Sequence, residues 1–435
     1  MKTLQTLAAL LALSSITGHA ENWPQWRGPA FNGTSPDTGQ PTTWTKETVK
    51  WTAPMPGPSG ATPVVWDDNV FVSSPDAEKN LNLICLDRKD GKVRWQKQIS
   101  SGDITKGKGN MASPSPVTDG KMVWALYGNG DIAALDFTGK ILWQRHLGEE
   151  YGRFSINWIY GSSPLLFDGR LYIQVLQRNP APPDYPGLAG GSPERESYLL
   201  ALDPTTGKNI FKVTRTSEAK LESQESYATP MPHIGPDGKA QILIVGGNCL
   251  TSHDPKTGKE LWRGYGLNPK DGEWMRLVPS AVSAAGLAIV AGPKKEALLA
   301  FGTDGKGDVS VSGLAWKVDE RIAPDVCTPA FYNGKLLVLN GDTKTLMCLD
   351  PKSGEKKWQG PLETKVVIRA SPTVADGKVY IIDEKGTVFV CGAGDEFKLL
   401  ATIPMGDAEG TRASIAASNG QLFIRTTQAL YCIGK

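Results

Sequence analysis

A unit of about 45 residues recurs along this 435-residue chain, and no other feature constrains the fold as strongly. Asp-Gly and Asn-Gly dipeptides mark the unit, because they supply the positive φ that a tight hairpin needs, and a strand-like run follows each one. Weaker forms at Asp68-Asn69 and Ala285-Gly286 bring the count to eight. The second turn residues are Asn69, Gly120, Gly169, Gly238, Gly286, Gly334, Gly377 and Gly420. Their spacing is about 43 to 51 residues, with one interval of about 69.

A second sequence pattern follows most of these hairpins, at a similar position in each repeat. A Leu-Asp pair, or His-Asp in one unit, precedes a glycine turn and then a large aromatic residue. This pattern predicts a third strand that ends at the acid, a turn shaped by the Asp side chain, and a fourth strand whose aromatic packs on the neighbouring unit. It spans Leu86 to Trp95, Leu135 to Trp143, Leu202 to Phe211, His253 to Trp262 and Leu349 to Trp358.

Four strands in each of eight units predict an all-β fold, a single eight-bladed β-propeller with four-stranded antiparallel blades. Helical periodicity is poor throughout, whereas short alternating segments such as Lys378 to Ile382 recur between turn residues. The last unit stops at Lys435 without a fourth strand. We expect Thr48 to Trp51 to supply that strand and to close the ring, which removes exposed sheet edges.

The predicted organisation has three parts. Residues 1–20 read as a signal peptide, with Lys2, an apolar stretch from Leu7 to Leu13 and a small-residue site before Glu21. Residues 21–47 form an N-terminal segment expected to lie over one surface, and residues 48–435 form the propeller. The mature protein is expected to be periplasmic or secreted, monomeric and not membrane-spanning. No cysteine lies at or just after the predicted cleavage point, so no lipid anchor is expected.

The balance of charged residues and the positions of the cysteines and histidines limit the possible functions further. The chain has 47 Lys+Arg against 45 Asp+Glu, a balance that gives no electrostatic basis for binding nucleic acid. Most of the six cysteines occupy one small third-strand position in different units, too far apart for disulfides, so free buried thiols are expected. Four are in this position: Cys85, Cys348, Cys391 and Cys432. The three histidines after residue 20 have no metal-ligand spacing, and no metal site is expected.

The repeated pattern Leu-Asp-x-x-Thr-Gly-Lys-x-x-Trp, as in Leu202 to Phe211 and His253 to Trp262, resembles the pyrroloquinoline-quinone-type propeller repeat. The opening Asn22 to Pro29 is similar to the start of many exported propellers of this kind. That superfamily includes quinoprotein alcohol dehydrogenases and the lipoprotein subunit of the outer-membrane β-barrel assembly machinery. The resemblance covers essentially the whole mature chain and implies the fold. It leaves the function open, because the motif is a packing device shared by enzymes and scaffolds.

In a four-stranded meander successive loops alternate between the two faces of the ring, and this alternation predicts where a binding site would lie. The second-to-third loops and the inter-blade connections share one face, and here they are long and varied, whereas the turns of the other face are short. The largest loop, Arg178 to Glu196, is expected to cap the mouth of the channel. The candidate ligand-binding residues at this mouth are Arg276, Arg369, Arg412, Trp158, Tyr160 and Tyr227.

Three arginines and three aromatic residues around one mouth suit an anionic or planar ligand, because guanidinium groups pair with carboxylates and stack on rings. In the alternative interpretation the arginines pair with Asp325, Asp407 or Glu409 and only hold loops in place.

The sequence therefore favours an exported, non-catalytic propeller that binds a protein segment or a small anionic ligand, without a cofactor. No catalytic residue is assigned. One alternative, implied by the resemblance, is a periplasmic oxidoreductase that uses pyrroloquinoline quinone (PQQ) with Ca²⁺. The adjacent Cys-Cys pair of those enzymes is absent, and their calcium ligands and catalytic Asp find no matching positions. A further alternative is a role in outer-membrane protein assembly, with an exported or outer-membrane protein as partner.

Overall fold

Tight hairpins begin the blades, as the dipeptides predict. The computed structural model describes residues 22–185, 194–319, 322–406 and 410–435, so the predicted signal peptide lies outside the described residues. Asn333 and Gly334 have φ angles of 46° and 74°, the pair of positive values that a two-residue hairpin turn requires. In blade 1 the turn lies one position earlier than predicted, because Trp66 pairs with Asn69 and leaves Asp67 and Asp68 as the turn residues.

The hairpins join strands into eight blades within the described residues, each sheet running outward from a central channel. Blade 1 contains Val64–Trp66, Asn69–Pro75, Asn80–Asp87 and Val93–Ser101. Blade 2 contains Val117–Thr118, Met122–Leu126, Asp131–Asp136 and Ile141–His146. Blade 3 contains Leu165–Phe167, Arg170–Val175, Tyr198–Leu202 and Asn209–Thr214. Blade 4 contains Met231–Ile234, Ala240–Gly246, Cys249–His253 and Glu260–Gly264.

The second half of the chain repeats the arrangement. Blade 5 contains Val282–Ala284, Leu287–Ala291, Leu298–Gly302 and Leu314–Val318. Blade 6 contains Ala330–Tyr332, Lys335–Asn340, Thr345–Leu349 and Lys356–Pro361. Blade 7 contains Thr373–Ala375, Lys378–Ile382, Thr387–Gly392 and Leu399–Pro404. Blade 8 contains Ala416–Ser418, Gln421–Arg425 and Ala429–Gly434, followed outward by Val49–Pro54.

Strand Val49–Pro54 closes the ring as predicted, since Trp51 pairs with Cys432 in the last strand of the chain. The remaining short strands are Thr34–Ser35, Thr105–Lys106, Gly109–Asn110 and Gly307–Asp308. The helical segments are Lys46–Thr48, Leu147–Glu150, Leu221–Gln224 and Pro293–Lys295. No helix in the described parts of the chain is long and apolar enough to cross a bilayer.

The aromatic residue of one blade packs on the turn glycine of the next, which explains why the two recur together. The Trp95 indole N–H of blade 1 donates to the Phe137 carbonyl of blade 2 over 2.9 Å. A Cβ on Gly139 would lie 2.8 Å from Cδ2 of Trp95, closer than carbon atoms can pack. Trp51 with Gly91, Trp143 with Gly207, Phe211 with Gly258, and Trp316 with Gly354 repeat this contact. Each glycine therefore allows a large aromatic ring to pack in the interface between two blades.

The cysteines are free and buried, as the third-strand position indicates. Cys85, Cys348, Cys391 and Cys432 lie in the third strands of blades 1, 6, 7 and 8. Burial raises the pKa of the Cys85 and Cys391 thiols to about 12. These thiols are structural side chains of the blade core.

Candidate functional site

The long connections meet over one end of the channel and enclose a cavity of about 520 Å³. Most connections between successive blades contribute to its wall, which confirms that the variable loops share one face. Lys108 comes from the connection between blades 1 and 2, Trp158 from the next, and Arg276, Asp325 and Arg369 from three later ones. The cavity lies where a rigid scaffold presents variable loops, the usual location of a binding site.

A chain of hydroxyl groups surrounds the channel just inside the cavity. In seven successive links, the backbone N–H of one Ser or Thr donates to the hydroxyl oxygen of its counterpart in the next blade, over 2.8–3.1 Å. The participants are Thr62, Ser115, Ser163, Thr229, Ser280, Thr328, Ser371 and Ser414. Each oxygen that accepts an N–H keeps its own O–H as a donor, so the wall can offer hydrogen bonds to an oxygen-rich ligand.

Arg276 lines the cavity and is held by a carboxylate from the next connection. Its Nη1 and Nη2 donate to the two carboxylate oxygens of Asp325, each over 2.8 Å. Burial opposes both charges, yet the pairing prevails: the pKa of Asp325 lies below its ordinary value, and that of Arg276 above it. This pair is the loop-holding contact that the alternative interpretation of the arginines predicted.

Arg369 and Arg412 also line the cavity, and they share one carboxylate. Glu384 Oε1 lies 2.8 Å from Nη1 of Arg369 and accepts a hydrogen bond from Nε of Arg412 over 2.9 Å. Lys108 Nζ lies 3.8 Å from the other oxygen of Glu384. Sequence reasoning offered Asp407 and Glu409 as partners, but both lie outside the described residues. Two guanidinium groups on a single carboxylate leave an uncompensated positive charge beside the cavity.

Trp158 and Tyr227 lie together at the mouth, as predicted. The Trp158 backbone N–H donates to the Tyr227 hydroxyl over 3.0 Å, and its indole N–H donates to Glu222 over 2.9 Å. Trp158 is 40% exposed and covers Gly107 of the hairpin between blades 1 and 2. Its large ring therefore forms part of the cavity wall.

The structure does not bring Tyr160 to the cavity, which corrects its place in the predicted set. Its side chain is buried among residues of blades 2 and 3, and its hydroxyl donates to the Gln174 carbonyl over 2.7 Å. Ile159 between the two aromatic residues has a φ of 68°, so the chain turns sharply there. Trp158 consequently faces the cavity while Tyr160 packs in the core.

Sequence reasoning missed several lining residues. Lys108, Lys294, Glu222 and Trp26 line the cavity, and none stands at the repeat position that identified the arginines. Lys108, Lys294 and Glu222 could have been predicted, because they are charged residues in the long connections. Trp26 belongs to the N-terminal segment, and no local pattern in that segment points to the channel. In the described wall, five cationic side chains face two carboxylates, and Glu384 behind Arg369 and Arg412 makes a third.

A buried carboxylate stands behind Trp158. Glu225 accepts hydrogen bonds from the Asn157 backbone N–H over 2.8 Å, from the Tyr227 hydroxyl over 3.2 Å, and from the Tyr185 hydroxyl. Burial raises its pKa to about 7 despite these donors. Tyr185 belongs to the predicted cap, of which residues 186–193 lie outside the described residues.

A calcium ion does not fit the carboxylates of this cavity. Asp325 and Glu384 are each engaged by guanidinium groups, and Glu222 accepts the Trp158 indole N–H. Within the described residues, no three His, Cys, Asp or Glu side chains are grouped closely enough to share a metal ion. Calcium needs six to eight oxygen ligands, of which several are normally carboxylates.

The fold and the channel define this protein as an eight-bladed propeller of the PQQ-like type. The family model described as outer membrane protein assembly factor BamB matches residues 34–173 and 307–395, and the chain belongs to that family. Among curated protein sequences, none matches this chain.

Solved structures share the fold at low sequence identity. Quinohemoprotein alcohol dehydrogenase from Comamonas testosteroni is 13% identical with a TM-score of 0.65, over 95% of this chain and 80% of that chain. BamB from Moraxella catarrhalis is also 13% identical, with a TM-score of 0.57, over 86% of this chain and 94% of that one. A europium-containing methanol dehydrogenase is 11% identical with a TM-score of 0.65, over 95% and 98% of the two chains. Enzymes and an assembly factor therefore share this architecture.

Proposed function

We propose that this chain is an exported, non-catalytic propeller that binds a small anionic ligand in the cavity at the long-loop mouth. The observation that carries the proposal is the charge of the cavity: five cationic side chains against three carboxylates, counting Glu384, in the described residues. An anion bound there would be drawn by this excess of positive charge and could accept hydrogen bonds from the hydroxyl wall.

The chemistry of the wall supports binding rather than catalysis. Among the described lining residues, no Ser or Thr hydroxyl is hydrogen-bonded to a carboxylate or an imidazole, the arrangement that activates such nucleophiles. Arg276 is fixed by two hydrogen bonds to Asp325, so its guanidinium is already oriented before a ligand arrives. Preorganised cations of this kind reduce the entropy cost of binding an anion.

The test is a calorimetric titration of the protein with adipate, a flexible dianion, at low and at physiological salt. We expect saturable binding that weakens with salt, because screening reduces the attraction. The double variant Arg369→Gln, Arg412→Gln should weaken binding at least tenfold. Arg170→Gln is the matched control, since Arg170 lies at a hairpin on the opposite face, paired with Asp168. Absence of adipate binding, or equal effects of both substitutions, would contradict the proposal.

A PQQ-dependent oxidoreductase is the alternative that the same cavity must be tested against. PQQ carries carboxylates that Arg276, Arg369 and Arg412 could hold, and the group would supply two-electron oxidation of an alcohol or a sugar. The calcium ion of that chemistry lacks a ligand set in the described cavity. Titration with PQQ, with and without Ca²⁺, separates the cases: calcium-dependent binding with dye reduction by alcohols would replace the non-catalytic proposal.

Membership of the BamB-like family supports a protein partner as a second candidate function. In this version the mouth holds an acidic segment of an exported or outer-membrane protein instead of a small ligand. Deleting the gene for this protein from its host should then lower the amount of folded outer-membrane β-barrel proteins. The double variant Arg369→Gln, Arg412→Gln should fail to restore that amount. Restoration by that variant would exclude the mouth as the docking site.

A further inference from the structure

The N-terminal segment crosses the channel at the end opposite to the cavity mouth. Trp23 and Val65 exchange two backbone hydrogen bonds of 2.9 Å, and the Thr118 N–H donates to the Pro24 carbonyl over 2.9 Å. Val65 and Thr118 belong to the innermost strands of blades 1 and 2, beside their hairpin turns. The segment therefore begins its path at the short-turn face.

The same segment then reaches blades on the other side of the ring. The Asn32 side-chain amide donates to the Phe331 carbonyl of blade 6 over 3.1 Å, and the Phe331 N–H donates to the Asn32 carbonyl over 3.2 Å. Thr34–Ser35 adds a parallel strand to the innermost strand of blade 7, opposite Val374 and Ala375. Residues 22–35 thus bridge blades 1 and 2 to blades 6 and 7 across the channel.

Arg27 anchors the middle of this bridge. The residue is 2% exposed, and its guanidinium donates to the carbonyls of Pro329 and Pro372, over 2.8 and 3.0 Å. Burial lowers the pKa of Arg27 to about 9, so the group stays charged at neutral pH. The close approach depends on Gly33, because a Cβ at that position would overlap the guanidinium.

Trp26, held beside Arg27, lines the cavity from its inner end. The Arg27 guanidinium carbon lies 5.7 Å from the centre of the Trp26 ring. The hydroxyl groups belong to residues two positions before the innermost strands begin, whereas Arg369 and Arg412 lie two residues earlier still, nearer to the mouth. A ligand that enters between the arginines would pass the hydroxyl wall and then meet the indole of Trp26.

We propose that Asn22–Ser35 is a plug that closes one end of the channel, and that Trp26 contacts the ligand and limits how deep it reaches. The plug makes the site a blind cavity that selects anions by length and admits them only from the long-loop mouth. This inference rests on the proposed function for the chemistry of the ligand. Arg27 is a positioning residue, since it acts through Trp26.

The length limit is tested with α,ω-dicarboxylates from succinate to sebacate, which differ in length at constant charge. Calorimetry on the parent protein should show affinity that drops beyond a certain length. In Trp26→Ala the cut-off should move to longer acids, with sebacate binding at least fivefold tighter and succinate unchanged within twofold, while Trp26→Phe restores the parent pattern. Equal effects of Trp26→Ala on all the acids would overturn the depth limit.

A second measurement tests the plug without a bound ligand. Trp26→Cys places a thiol where a methanethiosulfonate reagent can reach it only past the cationic mouth. An anionic reagent should therefore modify it at least fivefold faster than a cationic one, and Arg369→Gln, Arg412→Gln should reduce that ratio. Val311→Cys, at a 90% exposed position, is the control and should show less preference for the anion.

The two experiments separate the possible failures. A folded Trp26→Cys variant that does not react, or that reacts without charge preference, overturns the plug while adipate binding leaves the proposed function intact. If Trp26→Cys reacts as expected but no dicarboxylate binds the parent, the proposed function fails, and with it the ligand-contacting role of Trp26.

Discussion

The carboxylate of Glu225 accepts a hydrogen bond from the Tyr185 hydroxyl and so ties the blade 3 insertion to the connection that leads into blade 4. Around this contact, Arg178 donates to the Tyr185 hydroxyl over 3.0 Å, and the Glu222 carboxylate adds repulsion. The Asn157 and Tyr227 donors reach the other carboxylate oxygen. One buried acid therefore joins three loop segments behind the cavity wall.

Glu225 should make stability depend on pH near neutrality. Burial raises its pKa in the folded protein to about 7, above its ordinary value of 4.5. Between these values the folded protein keeps a proton that the unfolded chain has released. The free energy of unfolding should therefore fall as pH rises from about 4.5 to about 7, by up to about 3 kcal/mol. Urea titrations at several pH values measure this, and Glu225→Gln should remove the slope.

The matched control for that experiment is Glu149→Gln, since Glu149 is an exposed carboxylate in the same connection as Asn157. It should leave the slope of the parent unchanged. Parallel pH profiles for the parent and Glu225→Gln would show that Glu225 does not titrate in this range.

The contact between glycine and aromatic ring predicts unequal costs for two alanine substitutions. Gly139 has a φ of 86° and packs on Trp95, whereas Gly169 has a φ of 67° and no heavy atom within 4 Å of the place that a Cβ would take. Gly169→Ala should cost about 1–2 kcal/mol for the left-handed backbone alone. Gly139→Ala should cost about 2–4 kcal/mol, because the methyl group also displaces the indole. Equal losses in the free energy of unfolding, measured by chemical denaturation, would disprove the contact between Gly139 and Trp95.

Glu384→Gln should tighten anion binding. The substitution removes the carboxylate that Arg369 and Arg412 share and adds one net positive charge to the wall. We expect adipate to bind several-fold more tightly at low salt, with a steeper dependence on salt concentration. Calorimetry on the parent and the variant measures both. Weaker binding would mean that Glu384 is needed chiefly to orient the arginines.

In the folded protein the cysteine thiols should not react with an aromatic disulfide reagent at pH 8. All six are buried and free, and burial raises the pKa of Cys327 and Cys432 to about 12. A buried neutral thiol is a poor nucleophile. Six thiols should become reactive in guanidinium chloride. Reaction of the native protein, or fewer than six thiols after denaturation, would contradict the assignment.

Much of the fold was predictable because its determinants are local. Pairs such as Asn333-Gly334 supply positive φ wherever they occur, and the aromatic residue follows its turn at constant spacing. Closure by Val49–Pro54 was predictable because the last unit lacked one strand. The arginines were found because Arg369 and Arg412 stand at equivalent positions of two repeats.

Residues outside the repeat were not predictable in this way. The sequence places Tyr160 two positions from Trp158, but only the sharp turn at Ile159 sends one ring to the core and the other to the cavity. Glu384 stands in blade 7, and nothing nearby in sequence indicates that it would hold arginines from two connections.

By itself, then, the sequence determined the blades, their number and the face that carries the variable loops, since turn chemistry and strand alternation act over a few residues. The tertiary structure alone decided what fills the channel. Arg27 donates to the Pro372 carbonyl across 345 residues of chain, and its neighbour Trp26 lines the cavity. A ring brings distant segments together at its axis, and contacts made there depend on closure of the whole ring.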